Sequence, residues 1–119
     1  MKQFLVLFRG EYSNVPREDP EEFKVMAKKW QDWINKLSAE GKWVAAGTQL
    51  NPDGKVIKPD GLVTDGPYSE IKEVLMSYCT IKADSIEEAV KLSKDCPHLT
   101  VGGNIEIREL VVYQEKKGD

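Results

Sequence analysis

The chain offers a metal ion very little: it has one histidine, and its two cysteines, Cys79 and Cys96, show no metal-ligand spacing. A zinc centre is set aside on that ground, no cofactor is expected, and the thiols read as free and buried. Long apolar runs are also missing. None approaches the length that spans a bilayer, and Met1 to Phe8 lacks the apolar core and cleavage site of a secretion signal. A cytoplasmic protein without a membrane partner is therefore expected. Charge of one sign is lacking too: 17 basic and 20 acidic residues are interspersed, for a formal charge of −3, which leaves no basic footprint for nucleic acid. What is present is ordinary for a globular chain. With 40% apolar and 31% charged residues in 119, one compact domain over residues 1–113 and a charged tail over 114–119 are expected.

The periodicities place the elements. Lys2 to Arg9 alternates as a strand with Phe4, Val6 and Phe8 on one face and Leu5 and Leu7 on the other, so both faces are apolar. Gly10 to Glu18 reads as a polar connection. Asp19 is the N-cap of a first helix, with Pro20 at its first position and Glu22 three residues after the cap. Phe23, Met26, Ala27, Trp30, Trp33, Ile34 and Leu37 follow helical spacing, and Gly41 suits the C-terminal cap. Trp30 and Trp33 read as core aromatics. Trp43 to Gly47 is a second strand. Two turn signals, at Asn51 to Gly54 and at Pro59 to Gly61, then flank a short arm, Lys55 to Lys58. Val74 to Lys82 is a long strand, read with Met76, Tyr78 and Thr80 on one face and Leu75, Ser77, Cys79 and Ile81 on the other. Asp84 or Ser85 caps a second helix that Cys96-Pro97 stops. His98 to Gly103 is a loop, and Asn104 to Tyr113 the last strand. The order strand, helix, strand, hairpin, strand, helix, strand predicts an α+β fold: a ferredoxin-like βαββαβ sheet with two helices on one face and a small hairpin insertion. The doubly apolar first strand predicts that a second copy covers the open sheet face. The result would be a homodimer in the form of a dimeric α+β barrel.

The stretch Thr64-Asp65-Gly66-Pro67-Tyr68-Ser69-Glu70-Ile71-Lys72-Glu73 concentrates the chemistry. Pro67 fixes its own φ and biases Gly66 away from the helical region, so a rigid corner is expected with Asp65 at its edge. A phenol, carboxylates and an amine follow within a few residues. The run Asp65-Gly66-Pro67-Tyr68 resembles the Asp-Gly-Pro-Phe signature of the DGPF branch of the YCII-related proteins, with Tyr68 in place of Phe. The resemblance extends from Lys2 to about Tyr113 and implies the same dimeric α+β barrel. In the broader family, a histidine on the first helix and an aspartate just before the proline that follows the second helix imply an enzyme. This chain has no histidine on its first helix, and Cys96 stands before Pro97, so that pair does not carry over.

Two functions follow. The first is a cofactor-free proton-transfer enzyme of isomerase, lyase or dehalogenase type, acting on a small organic acid or lactone. Asp65 would be the base and His98 the acid or orienting group, with Tyr68, Lys72 and Arg108 as substrate contacts, Lys72 or Arg108 pairing a substrate carboxylate. The second is a non-catalytic dimeric ligand-binding or regulatory module. By resemblance alone, that reading includes a link to sigma-factor-associated transcription. Structural roles compete at each position. Asp65 can satisfy turn amides, His98 can hydrogen-bond a carbonyl, and Glu106 with Arg108 can form an ion pair.

Overall fold

A computed structural model describes residues 1–11, 19–66 and 73–113. Its elements are β1 (Lys2–Gly10), α1 (Pro20–Ala39), β2 (Trp43–Ala46), β3 (Gly54–Ile57), β4 (Val63–Gly66), β5 (Val74–Ala83), α2 (Ile86–Ser93) and β6 (Asn104–Glu109), with a 3-10 turn at Pro97–Val101. Four strands form an antiparallel sheet in the order β2-β5-β1-β6, and β3 pairs only with β4 in a separate two-stranded hairpin. This α+β arrangement is compatible with a ferredoxin-like fold.

Alternation along the central strand decides where the core lies. Phe4, Val6 and Phe8 are buried, and in register with them stand Ile81, Cys79 and Ser77 on β5 and Ile107 and Ile105 on β6. Trp33 and Leu37 from α1 and Ala89 from α2 join the same apolar cluster, so both helices cover this one face. The opposite face carries Leu5, Leu7, Tyr78, Thr80, Glu106 and Arg108, and among the described residues no helix packs on it.

Helix α1 starts as its sequence predicts. The Asp19 carboxylate accepts from the N–H groups of Glu21 at 2.9 Å and Glu22 at 3.4 Å, and Pro20 occupies the first turn where its missing N–H costs nothing. Gly41, just past the end, takes φ +70°, the left-handed conformation that glycine allows without strain. Ser85 caps α2 by accepting from the Glu88 N–H at 3.2 Å. The half-buried Lys42–Glu88 ion pair ties the start of β2 to α2. Its hydrogen bond holds the lysine above and the glutamate below their ordinary pKa values.

Three expectations change. The last strand ends at Glu109 instead of Tyr113, because β1 runs out: Leu110 donates to Gln3 O at 2.9 Å, β1 begins at Lys2, and Val111 to Tyr113 are left exposed. The ladder between β1 and β5 shifts register between Phe8 and Arg9, so Ser77 pairs with Phe8 but Leu75 pairs with Arg9. Met76 is the extra residue of this bulge and is buried, not on the open face with Tyr78. Finally, the segment after α2 is not a plain loop. Pro97 opens a 3-10 turn that ends at Gly102, with φ +79°.

Candidate functional site

The apolar stripe of α1 does two jobs. Its C-terminal half is clamped: Trp33 and Leu37 are buried, and the Trp33 indole N–H donates to Leu92 O at 3.0 Å. Its N-terminal half stands off the sheet. Phe23, Met26, Ala27 and Trp30 there roof a cavity of about 430 Å³, whose floor is Phe8, the bulge at Met76 and Ser77, and Cys79. Trp43, Gln49 and His98 complete the walls. This volume lies in the usual range of small-molecule sites, about 300–1,000 Å³. Trp30 is therefore both core and wall: its ring meets Phe8 edge-on at 5.1 Å and Trp33 at 5.9 Å while its remaining surface faces the cavity.

His98 is the buried polar group of this site, with 7% of its surface exposed. Three features fix its ring. The 3-10 turn delivers it under the end of β1, where Nε2 lies 2.7 Å from Arg9 O. Phe8 packs against it edge-on at 5.4 Å. Gly103 leaves the space it fills, since a Cβ there would stand 2.1 Å from Nε2. A backbone carbonyl only accepts, so Nε2 must carry the proton of that bond. In the neutral ring Nδ1 is then the acceptor, and among the described residues it has no hydrogen-bond partner. The structural role foreseen for His98, bonding a carbonyl, is thus filled by one nitrogen while the other stays available.

Ser77 was not singled out from the sequence. Its hydroxyl has no partner among the described residues, and it lines the cavity beside Phe8. The signal was a lone hydroxyl on an otherwise apolar strand face. The cavity thiol is inert by contrast. Burial, and then the neighbouring Cys96, push Cys79 up to about 12, and burial pushes Cys96 to about 12 despite the His98 N–H that favours its thiolate. Neither is a nucleophile near neutrality. Among the described residues no three histidine, cysteine, aspartate or glutamate side chains gather to hold a metal ion, and no helix is long and apolar enough to cross a membrane.

The other sequence-selected residues lie elsewhere. Asp65 is in β4, where its register partner is Lys55, and the corner expected from Pro67 onward falls outside the described residues. Its carboxylate forms an ion pair with the Lys55 ammonium, its side chain is 90% exposed, and it does not line the cavity. Arg108 stands opposite Leu5 on the open face, whereas the cavity opens on the helix face. Glu106 pairs with Arg9 at 3.0 Å and not with Arg108. Tyr68 and Lys72, with Ser69 and Glu70, fall outside the described residues.

The family model of the YCII-related domain matches residues 10–114, and the chain belongs to this family. No curated protein matches it.

Proposed function

We propose that this YCII-related domain binds a small molecule between α1 and the sheet and moves a proton on it without a cofactor, with His98 as the base. The observation that carries this reading is the tautomer: Arg9 O engages Nε2–H, which leaves Nδ1 as the unpaired acceptor of a buried imidazole that lines the cavity. In the step itself, Nδ1 takes a proton from an acidic C–H of the substrate. The electron pair stays on the substrate as an enolate, and the proton returns to the same or a neighbouring carbon. Arg9 O stabilises the imidazolium meanwhile, and Ser77 Oγ–H can donate to the developing enolate oxygen. No oxidant or reductant is consumed, which fits an isomerase or lyase better than a redox enzyme.

The test is hydrogen–deuterium exchange of a panel of small carbon acids, charged and neutral, followed by NMR in D2O with and without protein. His98→Gln can still donate to Arg9 O but has no base, and a loss of roughly 100-fold or more in the exchange rate is expected. Equal rates for both proteins would remove the catalytic role. A specific feature favours a second reading in that event: no carboxylate lines the cavity beside His98 among the described residues. The domain would then be a ligand-binding or regulatory module, with the same residues making contacts but no chemistry.

We further propose that two copies meet through the open sheet face. Leu5 and Leu7 are only half covered there and Tyr78 is exposed, which supports an apolar contact framed by Arg9, Glu106 and Arg108. Sedimentation should give a dimer, and Leu7→Asp should shift it to monomer. A wild-type monomer at high micromolar concentration would dismiss the contact.

A further inference from the structure

The cavity is chemically lopsided. Charged residues make up 31% of the chain, yet none of the described residues that line the cavity is Asp, Glu, Lys or Arg. The charges of α1 are turned away: Lys36 pairs with Asp95 at 3.0 Å on the far half of the helix. Of the two sequence candidates for holding an anion, Arg108 lies on the opposite side of the sheet and Lys72 falls outside the described residues. A carboxylate or phosphate entering this cavity would shed its water without gaining a countercharge from the described lining residues, a cost of several kcal/mol per ion in general.

The groups that do line it are matched to another chemistry. Phe8, Trp30 and Trp43 belong to one run of edge-to-face rings with Trp33, with centroids 5.1 to 6.4 Å apart. Such a surface offers both ring faces and ring edges to a planar guest. The indole N–H groups of Trp30 and Trp43 and the Ser77 hydroxyl have no acceptor among the described residues, and Nδ1 of His98 has no donor. Hydrogen-bonding capacity is thus present without net charge.

From this lining we infer that the ligand is an uncharged aromatic molecule bearing one hydroxyl or enolisable carbonyl, and not the organic acid that the sequence alone suggested. This rests on the cavity of the proposed function and specifies its substrate class. An enolisable ketone beside an aromatic ring satisfies both demands: an acidic C–H for Nδ1 and an oxygen for the Ser77 hydroxyl or an indole N–H.

The experiment is calorimetric titration of the full chain at about pH 8, above the ordinary imidazole range, with three probes of similar bulk: 2-naphthol, 2-naphthoate and 1-decanol. Binding of 2-naphthol at least about tenfold tighter than either of the others is expected. Equal or tighter binding of 2-naphthoate overturns the uncharged class and leaves the small-molecule site standing. Equal or tighter binding of 1-decanol overturns the aromatic class in the same way. Failure of all three to bind overturns the site itself. Gln31→Lys provides the internal check, because Gln31 is an exposed wall residue whose side chain, among the described residues, bonds only Asn35, at 2.8 Å, so the fold should survive the change. The new ammonium should tighten 2-naphthoate and erase most of the preference. If the ratio of the two naphthalenes does not move, binding is occurring elsewhere and the inference falls.

Discussion

Asp65 and His98 sit at opposite extremes of one chain. Asp65 lies on a two-stranded hairpin that pairs only with itself among the described residues, its carboxylate almost wholly in solvent. His98 is 7% exposed and is held by a carbonyl, a phenyl ring and a missing Cβ. Asp65 stands before Gly66-Pro67 and His98 between Pro97 and Gly102, so in sequence both sit among turn residues. The difference is what each is packed against. A group in water interacts weakly with its neighbours and has many alternatives; a group fixed in an apolar wall has one orientation and strong local fields. The buried segment is therefore where preorganised chemistry is expected, and the hairpin is where it is not.

Gly103 is where the confinement of His98 is most vulnerable. A methyl group there would collide with Nε2, Cε1 and Cδ2 of His98 at 2.1 to 2.6 Å. The imidazole ring is rigid and wedged against Phe8, so it cannot yield as the end of a long side chain would. Gly103→Ala should cost about 3 kcal/mol, from overpacking together with the strained or lost bond to Arg9 O. Urea denaturation reads that cost, and the exchange assay should fall together with it. Adding His98→Ala to Gly103→Ala should recover part of the stability, since the clash then has no second partner. A cost below about 0.5 kcal/mol would mean that the ring is free to move, and the contrast with Asp65 would disappear.

Much of this arrangement is legible in the sequence. The element order, the Asp19 cap, the cap at Asp84 or Ser85 and the face shared by Phe4, Val6 and Phe8 all follow from local rules, in which a residue's role depends on neighbours a few positions away. The cavity was not legible, for a physical reason. Phe23, Met26 and Trp30 have the spacing of a buried stripe, and nothing in that spacing says whether the sheet comes up to meet them. Here it does not, and the same stripe becomes a roof. The bulge at Met76 was equally hidden, because one inserted residue turns Met76 inward from the face it shares with Tyr78 in a regular strand without changing the composition of the strand. Asp65 misled for the converse reason. Asp-Gly-Pro is a turn signature that says nothing about burial, and Thr64, Asp65 and Gly66 find strand partners on an exposed hairpin where the carboxylate meets Lys55 instead of the cavity.

The smallest effect should come from that aspartate. Exposed ion pairs are screened by water and salt and contribute about 0 to 1 kcal/mol, and the Lys55–Asp65 pair is exposed on both partners. Asp65→Asn keeps the shape and removes the charge, so stability should stay within about 0.5 kcal/mol of wild type. Exchange rate and 2-naphthol affinity should not move, because the residue lies outside the cavity of its own chain. The informative result is the opposite one. If Asp65→Asn abolished exchange without unfolding the chain, the carboxylate would have to reach a site that its own subunit does not offer. A second copy carrying its hairpin to the neighbour's cavity is the arrangement that permits this, so the loss should vanish in the Leu7→Asp background if that variant is already monomeric and inactive. An unchanged rate in Asp65→Asn, beside a rate lost in His98→Gln, would assign the proton transfer to the buried imidazole alone.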